Sequence, residues 1–99
     1  MSHWLLMYDL APDYLDRRPA HRNRHLALAW AAADRGELVL GGPVGDPTDL
    51  ALLLFTSEQS ARAFAEADPY VREGLVTRWR VRPWTTVVGK DAATPTRSA

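Results

Sequence analysis

The feature that most constrains the fold of this chain is a helical pattern that ends abruptly at Asp68-Pro69. Upstream, Ala61, Phe64 and Ala65 recur at the three- and four-residue spacing of a buried helix face. Asp68 takes the next position of that face, so a carboxylate stands where the pattern predicts an apolar side chain. Pro69 lacks an amide hydrogen and disfavours helical angles in the residue before it. We therefore expect the chain to turn at Asp68 and the turn to fix the direction of this carboxylate.

Length and composition are those of one globular domain. The 99 residues are 46% hydrophobic and 24% charged, and twelve basic side chains balance twelve acidic ones, so no overall field favours nucleic acid or a membrane surface. The chain has no cysteine, which excludes disulfides and thiolate metal sites. No apolar run approaches the roughly 20 residues of a membrane span. We expect a cytoplasmic protein that binds neither nucleic acid nor membrane.

Hydrophobic periodicity predicts the order strand, helix, strand, strand, helix, strand. The strands are expected at residues 3–10, 37–40, 50–55 and 75–83, and the helices at about 19–35 and 56–67. This order is that of the ferredoxin-like fold, an α+β fold in which two helices cover one face of an antiparallel sheet. An apolar sheet left bare on its other face favours a homodimer, or a higher homo-oligomer, packed sheet against sheet. Residues 1–88 are assigned to this domain, and residues 89–99 to a flexible C-terminal tail.

His25 is the histidine best placed for chemistry. It lies in the first predicted helix, one turn after Arg22 and beside the apolar stripe, so it borders the buried face. An imidazole there can act as a general base or acid near neutral pH; the structural alternative is a helix-edge histidine bonded to backbone or water. His21 could join it at a metal, but a third ligand would have to come from elsewhere. We expect no metal and no other cofactor.

Asp68 has a structural and a functional interpretation. Asp followed by Pro is a good N-cap for a short helix through residues 70–72, with Gly74 ending it. A carboxylate held near an imidazole also fixes its tautomer and supports its charged form. Both can hold at once, because a cap uses one carboxylate oxygen and leaves the other free.

Four segments together resemble the YCII (YciI-like) domain family. They are Arg22-Asn23-Arg24-His25-Leu26, Gly36-Glu37-Leu38-Val39-Leu40-Gly41-Gly42-Pro43, Ala67-Asp68-Pro69-Tyr70-Val71 and Val81-Arg82-Pro83-Trp84. The resemblance covers about residues 3–88. It implies a small ferredoxin-like protein, usually dimeric, whose signature pair of a helix histidine and the aspartate of an Asp-Pro-aromatic turn corresponds to His25 and Asp68.

The resemblance also suggests a class of reaction, because a few members of the family resemble dehalogenating or isomerising enzymes that act on hydroxylated aromatic rings. We expect a pocket between sheet and helices in which His25 transfers a proton and Asp68 orients it. Arg22 would hold an anionic or phenolic oxygen, and Tyr70 would line the cavity. Asp9, at the end of the first strand, is the alternative partner of His25. Two functions stay open: a cofactor-independent lyase or isomerase, and a non-catalytic ligand-binding or interaction module with the same dimeric fold.

Overall fold

Four antiparallel strands form one sheet in the computed structural model, which describes residues 2–98. The elements are β1 (His3–Leu10), α1 (Tyr14–Asp34), β2 (Leu38–Gly45), β3 (Thr48–Phe55), α2 (Glu58–Ala67), α3 (Pro69–Arg72) and β4 (Val76–Trp84). The strands lie side by side in the order β2-β3-β1-β4, with β1 and β3 in the centre. This confirms the predicted α+β, ferredoxin-like fold. Met1 and Ala99, the outer ends of the predicted domain and tail, lie outside the described residues.

The helices cover one face of the sheet, and the hydrophobic core lies between the helices and the sheet. Residues 6 and 8 of β1 share that face because side chains alternate along a strand, and Leu6 and Tyr8 are buried there. The predicted apolar stripe of α2 is buried as expected, with Ala61 and Ala65 at 0% exposure. Leu53 pairs with Leu6 and belongs to the same core.

The opposite face, which we call the back face, carries the other residues of each strand. Leu5 pairs with Leu54, and the edge residue Leu40, which pairs with Leu54 from the other side, is 65% exposed. Arg80 and Arg82 of β4 lie on this face, opposite Met7 and Leu5. The homodimer expected from the bare face stays a prediction.

Three element boundaries differ from the sequence-based expectation. Helix α1 begins at Tyr14 instead of about residue 19 and holds Pro19 inside it, because Tyr14 is buried and packs edge-on against Tyr70 with ring centroids 5.6 Å apart. Strand β2 runs on through the glycines to Gly45; its Pro43 is tolerated because β2 is an edge strand.

The start of α2 is the third boundary that differs, because the helix begins at Glu58 and not at residue 56. Its N-cap is Ser57, whose Oγ accepts a hydrogen bond from the backbone N–H of Ser60 at 3.1 Å. The Thr56 hydroxyl instead donates to the carbonyl of Gly36 at 3.3 Å. The segment Thr56-Ser57-Glu58-Gln59 has the spacing of a capping box that begins at Thr56, but the residue that caps the helix is Ser57.

Residues 85–98 follow β4 without a further strand. The Thr86 hydroxyl lies 2.7 Å from Nδ1 of His3 and accepts a bond from the Ala93 amide at 2.8 Å, and the Thr94 amide donates to the Thr86 carbonyl at 3.0 Å. The expected flexibility of this tail stays a prediction. Within residues 2–98, none of the helices combines the length and the apolar character that a membrane crossing requires.

Candidate functional site

A cavity of about 470 Å³ lies between α1 and the sheet. Residues 38–43 of β2 form one wall, and Ala51 and Leu53 of β3 lie in the sheet beneath it. The side chains of α1 form the opposite wall, and Tyr70 of α3 closes one side. The volume is within the range of about 300–1,000 Å³ that is typical of small-molecule sites.

Asp68 is the buried centre of the polar groups beside this cavity. It is 0% exposed and accepts hydrogen bonds from three donors. Its Oδ1 accepts from the backbone N–H of Tyr70 at 3.0 Å and lies 2.9 Å from Nδ1 of His25. Its Oδ2 accepts from the Tyr8 hydroxyl at 2.7 Å. A carboxylate buried this completely requires such donors, because an unpaired buried charge is costly.

The local sequence explains how Asp68 reaches this position. It ends α2 with extended backbone angles, φ −67° and ψ 123°, and serves as the N-cap of α3. Pro69 occupies the start of α3. An amide hydrogen at this position would have no acceptor within the helix, so its absence from proline breaks no helical hydrogen bond. The turn therefore directs the carboxylate inward, and the cap and the contact with His25 occur together.

His25 projects from α1 into the same cluster and lines the cavity. Its ring stacks on Tyr70 with centroids 3.8 Å apart and planes 7° from parallel, and Phe64 meets it edge-on at 6.1 Å. Its side chain is 15% exposed. Because an ionised Asp68 only accepts hydrogen bonds, Nδ1 of His25 carries the hydrogen of the contact. In the neutral imidazole, Nε2 is then the nitrogen with a free lone pair.

Comparison with protein families gives a match over most of the chain. A model of the YCII-related domain matches residues 1–85. The chain belongs to the YCII family. The protein YciI of Escherichia coli (strain CFT073) and that of Shigella flexneri are each 33% identical to it over 86 residues, which cover 76% of this chain and 88% of the relative.

A solved structure shares the fold of this YCII domain. It is the 5-chloro-2-hydroxyhydroquinone dehydrochlorinase of Burkholderia phenoliruptrix, in complex with 2,5-dihydroxybenzoquinone. The TM-score is 0.69 with 22% sequence identity, and the match covers 85% of this chain and 94% of that one. At this identity the likeness shows the fold alone.

Tyr8 is a residue of the site that sequence reasoning missed. It is 1% exposed, and its hydroxyl donates to Asp68. Burial, followed by the charge of Asp68 and the hydrogen bond to it, raises the pKa of Tyr8 well above its ordinary value. The phenol therefore stays a donor throughout the neutral range. The first strand is one nearly continuous apolar run in the sequence. The only signal for Tyr8 was its position two residues after Leu6, which places both side chains on the same face of the strand.

Tyr70 and Arg22 both line the cavity. Burial, followed by neighbouring Tyr14, raises the pKa of Tyr70 to about 12. Sequence reasoning missed Tyr14 and Arg18, which also line the cavity; the Arg18 guanidinium lies 5.7 Å from the centre of the Tyr14 ring. Their spacing was the available signal, because residues 14, 18, 22 and 25 repeat on one helix face.

The structure does not bring Asp9 into this cavity. Asp9 follows Tyr8 directly along a strand, so the two side chains point to opposite faces of the sheet. Its carboxylate lies on the back face, where Oδ2 is 3.4 Å from Nη1 of Arg80. The expectation that Asp9 lines the pocket or partners His25 is therefore corrected, because strand alternation separates it from both.

The two helix histidines do not converge on one position. Nδ1 of His25 faces Asp68, whereas Nδ1 of His21 accepts a hydrogen bond from Arg24 at 2.6 Å on the exposed side of α1. In the part of the chain that the structure describes, no three His, Cys, Asp or Glu side chains lie close enough together to hold a metal ion. The polar groups of this YCII domain thus form a histidine–aspartate–tyrosine cluster beside an apolar cavity.

Proposed function

We propose that this YCII protein is an enzyme that moves a proton within a small hydroxylated aromatic or lactone-like compound, leading to elimination or isomerisation. The observation that carries the proposal is the contact between Nδ1 of His25 and the buried carboxylate of Asp68, 2.9 Å apart, beside a cavity of about 470 Å³. An oriented imidazole beside a cavity that can hold the substrate is what proton transfer requires.

In this mechanism, His25 is the base and Asp68 is the group that orients it. Nε2 removes a proton from an acidic C–H or O–H of the substrate, and Asp68 stabilises the imidazolium that forms. In an elimination, the electron pair of the broken bond forms a new double bond while the leaving group departs with its own pair. In an isomerisation, the imidazolium returns the same proton to a different carbon. Neither path needs a redox cofactor.

The contacts around His25 suit a planar substrate. Tyr70 stacks on one face of the imidazole, and most of the cavity lining is apolar or aromatic, so a ring can be held beside the histidine without burying unpaired polar groups. Arg22 would hold an anionic or phenolic oxygen of the ring. The ligand bound by the Burkholderia dehydrochlorinase, a dihydroxybenzoquinone, belongs to the same chemical class.

The alternative function is a non-catalytic module that binds a small ligand. One observation favours it: Asp68 caps α3 and also accepts the Tyr8 hydrogen bond, so the cluster stabilises the fold whether or not a reaction takes place. The two functions differ in what His25 contributes. A catalytic base affects turnover, whereas a structural histidine affects stability.

Replacement of His25 by Gln separates these functions. Turnover is followed as chloride release or absorbance change on a panel of chlorinated and hydroxylated hydroquinones and lactones, and binding is measured with 2,5-dihydroxybenzoquinone. We expect turnover to fall by about 10²- to 10⁴-fold, with ligand affinity and thermal midpoint close to those of the unmodified protein. His21→Gln is the matched control, because His21 lies on the same helix but outside the cavity lining. Unchanged turnover in His25→Gln, or binding without turnover in the unmodified protein, would overturn the enzyme proposal.

The proposal includes a homodimer formed through the back face. Leu40 is 65% exposed and Val44 is 40% exposed at the β2 edge of that face, and a second copy would remove both from water. The expected result of sedimentation velocity is one species of twice the 11.1 kDa chain mass. A single species at the chain mass would contradict this part of the proposal. The cytoplasmic location stays a prediction.

A further inference from the structure

The wall that α1 gives to the cavity changes character along its length. Its N-terminal half contributes Arg18 and Arg22, and its C-terminal half contributes Leu26 and Trp30, with His25 between the two halves. With a rise of about 1.5 Å per residue, the Cα atoms of Arg22 and Trp30 are about 12 Å apart along the helix. A ligand that lies along α1 therefore meets positive charge first, then the imidazole, and then apolar surface.

Two arginines line the cavity, Arg18 and Arg22. Within residues 2–98, neither Arg18 nor Arg22 lies within 4.0 Å of a carboxylate, whereas Arg17 of the same helix pairs with Asp13. The described residues that line the cavity include no Asp or Glu. Asp68 is not part of the lining and already accepts hydrogen bonds from three donors. Among the described residues, no carboxylate therefore neutralises the positive charge at this end of the cavity.

Arg18 is also partly positioned before any ligand arrives. Its guanidinium lies 5.7 Å from the centre of the Tyr14 ring, close enough for a cation–π interaction. Tyr14 is itself buried and packed against Tyr70, so its ring is a fixed support. A guanidinium held at one place presents its planar fork to a two-oxygen anion with less loss of conformational freedom.

We propose that Arg18 and Arg22 form a carboxylate seat at one end of the cavity, so that the substrate is a ring compound with a carboxylate at one end and an apolar substituent at the other. The apolar substituent lies against Leu26 and Trp30, and the proton that is transferred lies between the two ends, at His25. This inference rests on the proposed function for the role of His25. The carboxylate seat itself is a property of binding.

The test compares two ligands of equal size, 3-phenylpropionate and its neutral amide, by calorimetric titration at low ionic strength. We expect the carboxylate to bind at least tenfold more tightly than the amide. Arg18→Gln and Arg22→Gln should each weaken carboxylate binding by at least threefold and leave amide binding unchanged, and the double variant should bind both ligands equally. Arg24→Gln is the matched control: it removes the same charge from the same helix, but Arg24 contacts His21 and lies outside the cavity lining.

The apolar end has its own test. Trp30 is 66% exposed, so Trp30→Ala removes its surface without opening the core. We expect this variant to weaken both ligands by the same factor and to keep the preference for the carboxylate. Unequal weakening of the two ligands would place the apolar end elsewhere.

Three results would overturn the proposal. The first is equal binding of the carboxylate and the amide by the unmodified protein, and the second is no carboxylate binding at millimolar concentration. The third is an Arg24→Gln effect as large as that of Arg18→Gln, which would mean that the overall charge of the helix, and not a specific seat, attracts the carboxylate. Failure of the proposed function is distinguishable from these results. If the protein never turns over a substrate but retains the preference for the carboxylate, the proposed carboxylate seat is supported and the proposed enzymatic function is not.

Discussion

The two aspartates that the sequence offered as partners for His25 lie on opposite faces of the sheet. Asp68 is 0% exposed and accepts hydrogen bonds from Tyr8, His25 and the Tyr70 backbone. The Asp9 side chain is 44% exposed, and its nearest cation is Arg80 at 3.4 Å. The first environment removes a carboxylate from water and replaces every lost hydrogen bond, while the second leaves it largely hydrated. The same chemical group is therefore part of a site on one face and a surface charge on the other.

The faces also differ in how they satisfy buried polar atoms. His3 lies on the back face at 3% exposure, and its Nε2 is the buried side-chain polar atom without a partner among the described residues. Its Nδ1 is paired with the hydroxyl of Thr86. On the helix-covered face, the cluster around Asp68 leaves no such atom. Among the described residues, the polar network beside the cavity is therefore complete, whereas the one at His3 is not.

The largest expected difference between the faces is in stability. Asp68→Ala removes the cap of α3 and leaves the Tyr8 hydroxyl buried without an acceptor, so we expect the free energy of unfolding to fall by about 3 kcal/mol. The measurement is urea denaturation at neutral pH. Asp9→Ala is the matched control and should change the free energy of unfolding by less than about 0.5 kcal/mol, since it breaks only an exposed ion pair. Equal losses in the two variants would remove the distinction between the faces.

The next largest expected effect is a loss of folding stability at alkaline pH, caused by the tyrosines of the helix-covered face. Burial raises the pKa of Tyr70 to about 12 from 10.0 and raises that of Tyr8 further. Above pH 10 the unfolded chain loses these protons while the folded protein keeps them. Stability is therefore fully present below about pH 10 and falls as the pH rises toward 12, by up to about 1.4 kcal/mol per pH unit for each tyrosine.

Urea denaturation at about pH 9, 10 and 11 measures this dependence. Tyr8→Phe should be less stable at every pH, because Asp68 loses a donor, but its stability should fall less steeply with pH than that of the unmodified protein. Tyr70→Phe should also reduce the slope. If the slopes of all three proteins agree, the alkaline loss comes from groups outside the cluster.

The smallest expected difference concerns two adjacent glycines of β2. A Cβ on Gly41 would lie 3.0 Å from Cγ of Leu53 and 3.2 Å from the carbonyl oxygen of Leu52, whereas one on Gly42 would meet no atom within 4 Å. Both substitutions to Ala restrict the unfolded chain equally, so the crowding at Gly41 decides the difference between them. We expect the Gly41→Ala variant to be less stable than the Gly42→Ala variant by about 1 kcal/mol. Thermal denaturation of the two variants measures the difference. An equal cost at Gly42 would mean that the proposed second copy contacts Gly42 as closely as Leu53 contacts Gly41.

The sequence by itself determined the order of the elements and the turn at Asp68-Pro69. Both depend on local rules: the apolar stripe of α2 has helical spacing, and proline after a residue that can cap a helix ends one helix and begins another. The YCII resemblance added His25 as the partner of Asp68. The start of α1 was predicted too late because its first turn is held by the packing of Tyr14 on Tyr70, and local propensity contains no information on such a contact.

Only the tertiary structure decided which groups meet. The contact between His25 and Asp68 spans 43 residues of sequence, and the contact between Tyr8 and Asp68 spans 60. The register of β1 against its neighbours decides that Tyr8 faces the helices and Asp9 does not, and a shift of one residue would exchange the two. The choice between these faces follows from burying the largest apolar area of the whole chain, which is a property of all the strands and helices together and of no single segment.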